Sequence, residues 1–218
     1  MFVVKSVFET VKEIKQSFRL MMDGAVAQSM RDKGLNYHLN WGATLPRLQA
    51  KAQEIKAMFN VSSLMFNVYE LSIALWKENV RECKILATML MPPDEILPEV
   101  VDIWQEQIPS QEIAEQLAFN LYQHLPFAAE KAYQWIASDK EYDQLCGFHV
   151  LSRLFMNGQE PNERGINEYL DQALCALQGP YPSVRKAALQ SIQRFAELGI
   201  LYERLAKSAT KSIDLDIF

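Results

Sequence analysis

The chain is poor in residues that break, cross-link or anchor a polypeptide. Eight glycines and nine prolines in 218 residues fall at the edges of periodic runs, not inside them. No stretch alternates Val, Ile and Thr with hairpin signals, so strands are not expected. The three cysteines, Cys83, Cys146 and Cys175, are odd in number and far apart, which excludes a disulfide framework and points to reduced thiols of a cytoplasmic protein. Each lies in an apolar helical stretch and is expected to act as a small buried hydrophobe. The three histidines, His38, His124 and His149, share no metal-ligand spacing with one another or with the cysteines. Neither a metal nor a cofactor is expected. No apolar run approaches the roughly 18 residues needed to span a bilayer. The start, "MFVVKSVFETVKEIKQ", meets charge too early for a secretory signal, and no membrane partner is expected.

What is present is apolar and helical. Hydrophobic residues make up 49%, enough for a sizeable core. The net charge of −5 is unevenly spread. Met1 to Met91 hold 12 Lys and Arg against 8 Asp and Glu, Pro92 to Asp143 hold 2 against 11, and Gln144 to Phe218 hold 8 against 8. A phosphate backbone is bound by clustered Lys and Arg. Any nucleic-acid surface must therefore draw on the flanks and tolerate an acidic centre.

Apolar residues recur at helical spacing throughout, giving expected helices at 2–20, 24–32, 44–58, 63–76, 79–91, 93–105, 110–124, 126–138, 140–157, 163–177, 181–198 and 200–208. In "YPSVRKAALQSIQRFAELG", Pro182 and Ser183 start a helix whose Val184, Ala187, Ala188, Ile192 and Phe195 share one face. Val-Arg followed by small and apolar residues resembles the inner helix of a HEAT repeat. "NVRECKILATMLM" is a second copy, with Val80, Arg81, Cys83, Leu86 and Ala87 in matching places. "QEIAEQLAFNL" and "YDQLCGFHVL" repeat the small/large pattern between them. Spacings of about 30 to 40 residues suit two-helix repeats. The expected fold is all-α: antiparallel HEAT-like helix pairs stacked into a curved α-solenoid, one domain over 1–218.

Three stretches carry a more specific likeness. "SMRDKGLNYHLNWGATLPRLQAKAQEI", "LWKENVRECKILATMLM" and "WQEQIPSQEIAEQLAFNL" follow in order and spacing the pattern of the AlkD-like DNA alkylation repair family. With the terminal Val-Arg-Lys-Ala helix, the chain resembles that family over roughly residues 20–200. The resemblance implies a double-stranded DNA partner. It also implies excision of positively charged alkylpurines by a metal-free glycosylase. There a groove carboxylate stabilises the oxocarbenium-like sugar while tryptophans and an arginine hold lesion and backbone. On this pattern Glu115 takes the catalytic acid's place, one methylene longer. The two tryptophan positions become Gln111 and Gln190, and Gln144 stands where the arginine is expected.

The helix expected at 110–124 puts Ile113, Leu117, Leu121 and Leu125 on one stripe, with Gln111, Glu115 and Tyr122 opposite and Phe119 beside them. Phe119 or Tyr122 could stand in for the missing platform and shield the acid. Equally, the aromatics could pack on the next helix and leave Glu115 an ordinary solvated glutamate. Glu112, after a Ser110 cap, is explained by the helix dipole. Arg81, Lys84, Arg153, Arg185, Lys186 and Arg194 recur on the inner helices, either to contact the DNA backbone or to pair between successive repeats. Tyr37 and Trp41 are expected as packing aromatics. Three readings stay open: a glycosylase using Glu115, a non-catalytic DNA-structure-binding relative, or a HEAT-repeat scaffold with a protein partner.

Overall fold

The computed structural model describes residues 6–35, 37–61, 66–211 and 213. The expected helix starts at residues 2 and 63 lie outside them. Twelve α-helices are found among the described residues, with one isolated parallel bridge, Leu39 to Val80, and no strand. No described helix is long and apolar enough to cross a membrane. The chain divides into two compact units, residues 1–101 and 102–218.

The first unit holds α1 (Val7–Leu20), α2 (Gly24–Asp32), α3 (Leu45–Val61), α4 (Val68–Lys77) and α5 (Arg81–Leu90). Helix α1 begins with a reciprocal capping box. The Ser6 hydroxyl accepts from the Glu9 amide, and the Glu9 carboxylate accepts from the Ser6 amide. Its apolar stripe, Val11, Ile14 and Phe18, is buried, and Phe18 meets Trp41 at 5.9 Å between ring centroids. The loop joining α2 to α3 turns at Gly42, with φ at +75°. A side chain there would collide with the Asp23 carbonyl, so the position combines a left-handed backbone with a close approach.

That loop is clasped by α5. The amide of Arg81 donates to the Leu39 carbonyl at 3.0 Å. The Glu82 carboxylate, wholly buried, accepts from the amides of Trp41 at 3.1 Å and Ala43 at 3.2 Å. The Arg81 guanidinium, 1% exposed, donates to the Ala43 carbonyl at 2.8 Å and pairs with the same Glu82 oxygen at 3.3 Å. Buried backbone groups need partners, and an adjacent acid and base on one helix supply them to an irregular loop.

The chain passes along α6 (Pro98–Glu106) into the second unit, which holds α7 (Gln111–Asn120), α8 (Ala128–Ile136), α9 (Glu141–Met156), α10 (Glu163–Gln178), α11 (Pro182–Ala196) and α12 (Ile200–Lys211). Here α9 packs between α7 and α11, with α8 and α10 behind. Gly147 lets α9 press against α8, because a Cβ there would sit 2.9 Å from the Ala132 carbonyl and the Ile136 amide. Phe155, Tyr169 and Phe195 fill the core with ring centroids 5.0–5.5 Å apart, and the Tyr169 hydroxyl donates to the buried Ser191 hydroxyl at 2.9 Å.

Two expectations need correction here. The helix expected to run from 110 to 124 ends at Asn120, and residues 122–124 form a 3-10 turn. Tyr122 therefore leaves the 100° wheel. Its ring is wholly buried against Trp135 at 4.8 Å rather than beside Glu115. Cys175 is exposed, while Cys83 and Cys146 are buried as expected. The buried stripe of α10 runs through Tyr169, Leu170, Ala173 and Ala176, and residue 175 falls well off it.

Candidate nucleic-acid interface

Helices α7, α9 and α11 lie side by side and parallel. At their starts the Ser183 hydroxyl donates to Glu141 at 2.6 Å, and the Tyr142 hydroxyl meets the Gln111 backbone. Midway, the Cys146 thiol reaches the Ala114 carbonyl at 3.5 Å. Further along, the Phe119 ring meets His149 edge-on at 4.9 Å, with the Arg153 guanidinium 4.8 Å from its centroid. Each helix lends one row to a shared face: Gln111, Glu115 and Phe119; Tyr142, His149 and Arg153; Lys186, Gln190 and Arg194. The spacings of four or seven residues within each row place its members on one side of a helix.

Glu115 is half-buried and accepts from the Gln111 amide nitrogen at 2.8 Å. Gln111 thus holds the carboxylate one turn along its own helix. Phe119 supplies the ring nearest Glu115 on α7, but Arg153 already stands against it. A cation over an aromatic face is attracted by the ring's negative quadrupole, so this ring holds the Arg153 guanidinium instead of lying open. His149 is pushed down to about 4 by burial first, then by Arg153 and Lys186. It is neutral at pH 7. The influence of Lys186 on His149 brings α11 into the same electrostatic neighbourhood.

The other candidates separate cleanly. Lys186 and Gln190 are exposed on α11. Arg194 is paired with Glu197 at 2.7 Å. Arg185 donates to the Gly179 carbonyl at 2.6 Å, holding the end of α10. Gln144 donates to the Ser138 carbonyl at 2.7 Å, in the turn before α9. In the first unit, Arg81 is buried in the loop clasp. Lys84 donates to the Trp76 carbonyl at 2.8 Å and lies 4.4 Å over that ring, and burial lowers its pKa. Arg81, Lys84 and Arg185 therefore serve the fold. Arg153 and Lys186 remain as the cations of the face.

The acidic block does not fall mainly on this face. Of its eleven acids, Asp94, Glu95, Glu99, Asp102, Glu106, Glu130 and Asp139 lie outside α7, α9 and α11. Asp143 accepts from Ser138 and Gln105. Glu141 sits in the first turn of α9, where the helix dipole favours an anion. Sequence reasoning missed His149 as a member of the face. The signal was available in the Tyr142, Cys146, His149 and Arg153 series, spaced by 4, 3 and 4 residues. No group of three or more potential metal ligands occurs among the described residues.

Residues 14–196 match the family model described as DNA alkylation repair enzyme. The chain belongs to that family. It is also similar to a solved structure described as a new family of proteins related to the HEAT-like repeat DNA glycosylases with affinity for branched DNA structures. The TM-score is 0.76 at 16% identity, covering 92% of this chain and 81% of the other. That likeness shows the fold: an all-α, HEAT-like repeat architecture. No curated protein matches the chain. In this member of the DNA alkylation repair family, α5, α7, α9 and α11 begin at Arg81, Gln111, Glu141 and Pro182, intervals of 30, 30 and 41 residues. The repeat length read from the sequence is the repeat length of the fold.

Proposed function

We propose that this protein binds double-stranded DNA through the α7–α9–α11 face and recognises DNA structure rather than excising bases efficiently. The observation carrying this reading is the placement of Arg153 against Phe119. The Phe119 ring beside Glu115 is already occupied by a cation of the protein, so a cationic base cannot stack on that face of it. Arg153 and Lys186 would instead meet phosphate oxygens and set register on the backbone. Family membership supports a DNA partner, and the solved relative's affinity for branched structures supports structure as the thing recognised.

Binding should weaken with salt, since neutralised phosphates release counterions. Titration of a labelled duplex across a salt series measures this. Lys186→Gln and Arg153→Gln should each reduce the slope of log K against log salt by about 0.9. Affinity that ignores salt, or a stable protein partner with no DNA retained, would reject the reading and favour a scaffold.

A second reading rests on Glu115 itself, held by Gln111 at 2.8 Å on the α7 row of the proposed face. In a glycosylase a carboxylate so placed would stabilise positive charge on the sugar as the base departs. Release of 3- or 7-methylpurine from methylated DNA, abolished in Glu115→Gln, would establish it. No release above buffer at high protein concentration would dismiss it.

A further inference from the structure

The first unit carries a second surface with nucleic-acid chemistry. Phe8, Lys12, Lys15 and Arg19 follow one another on α1 at spacings of 4, 3 and 4, so they share one side of the helix. That side is opposite chemistry to the buried Val11, Ile14 and Phe18 stripe. With Trp41 and Glu78 these four line a groove of about 340 Å³. Phe8 is 77% exposed, while Trp41 is 8% exposed and forms part of the wall. Lys15 is neutralised by Glu78 at 2.7 Å. Lys12 and Arg19 are exposed and form no ion pair among the described residues.

We propose that this groove binds an unpaired DNA strand, as found at a branch, flap or frayed end. The proposal rests on the DNA-binding reading above and adds a site to it. An exposed ring offers a stacking platform that every base can use, and flanking cations hold the backbone, the two requirements of single-strand binding. Seven residues separate Lys12 from Arg19, about 10 Å along a helix rising 1.5 Å per residue. The two cations can therefore contact different phosphates. The volume is at the low end of the roughly 300–1,000 Å³ typical of small-molecule sites, suited to one splayed nucleotide and too small for a duplex. A membrane surface fits less well. The apolar stripe of α1 faces the protein, so its outward side offers two cations and a single ring instead of a continuous apolar face.

The test compares a blunt duplex with the same duplex bearing a single-stranded oligo(dT) overhang, by fluorescence anisotropy on the full chain. The overhang should tighten binding by the wild type about tenfold. Lys12→Gln with Arg19→Gln should abolish that gain, leave blunt-duplex affinity within about twofold, and cut the overhang's extra salt slope by about 1.4, at 0.7 per charge. Phe8→Ala should weaken overhang binding at least fivefold with the salt slope unchanged, the mark of lost stacking. All three side chains are exposed, so the variants should keep the wild-type circular dichroism. If the wild type binds the duplex but gains nothing from the overhang, this groove is not a strand site, although DNA binding stands. If both substrates weaken equally in the double variant, the patch is a general electrostatic one and the proposal fails. Loss of sedimentation with phosphatidylserine-containing vesicles, at unchanged DNA affinity, would assign the groove to a membrane. If the wild type binds neither DNA, both the groove and the α7–α9–α11 reading fall.

Discussion

Replacing Arg81 distinguishes a structural cation from a DNA-binding one. In Arg81→Leu the guanidinium leaves a site that is 1% exposed. The Ala43 carbonyl loses its 2.8 Å donor, and the wholly buried Glu82 carboxylate loses its only cationic neighbour within 4 Å among the described residues. Removing one member of a buried ion pair costs about 3–5 kcal/mol, because the other charge remains desolvated. Two amides still donate to Glu82, so the lower half of that range is expected. Glu82→Leu should cost at least as much. It strands the guanidinium and also leaves the Trp41 and Ala43 amides without an acceptor, each worth about 1–3 kcal/mol. The double substitution should fall short of the sum by about 0.5–3 kcal/mol, since one change removes what the other exposes. Urea denaturation followed by circular dichroism measures all four proteins. Lys186→Gln is the control, expected within about 0.5 kcal/mol of wild type as an exposed side chain. If Arg81→Leu keeps wild-type stability and loses DNA affinity, Arg81 is a DNA contact and the clasp has been misread.

Acid should loosen the second unit through His149. Its pKa is about 4 in the fold against an ordinary 6.5. The unfolded chain therefore binds the extra proton between those values, and stability present above pH 6.5 is lost as pH falls towards 4. The limit is about 3 kcal/mol at 1.36 kcal/mol per unit, and His149→Gln should flatten the pH–stability curve in that window. Gly147→Ala should cost about 1–3 kcal/mol by thermal denaturation, because the new methyl meets the Ile136 Cγ2 at 2.7 Å and also backbone of α8 at 2.9 Å, which cannot swing aside. Tyr169→Phe should cost about 1 kcal/mol by removing the hydrogen bond to the buried Ser191 hydroxyl, with the packed rings kept.

The parts legible in the sequence were those decided locally. Ser110 caps α7 by accepting from Ile113, and Pro182 opens α11. Such signals act within one turn, so periodicity and caps suffice to place them. Arg81 was not legible, because its partner carbonyl lies 38 residues earlier in an irregular loop. A charged residue at the start of an amphipathic helix reads as solvent-facing unless that loop is known. Tyr122 failed for a different reason. The α-helical phase breaks after Asn120, and one 3-10 turn rotates the ring into the core. The face around Glu115 depends on three helices being parallel and in register. No single helix encodes that, although the His149 and Arg153 spacing was there to be read.

The uneven burial of the thiols has a practical consequence. Burial pushes Cys83 up to about 12 and Cys146 further still, so neither offers a thiolate to an electrophile near neutral pH. Cys175 is exposed on α10, outside the three helices that carry the proposed DNA face. A maleimide dye added to the native protein should therefore couple at one position. The wild-type chain thus carries its own single reporter site, and every binding experiment above can be read from the protein as well as from the DNA.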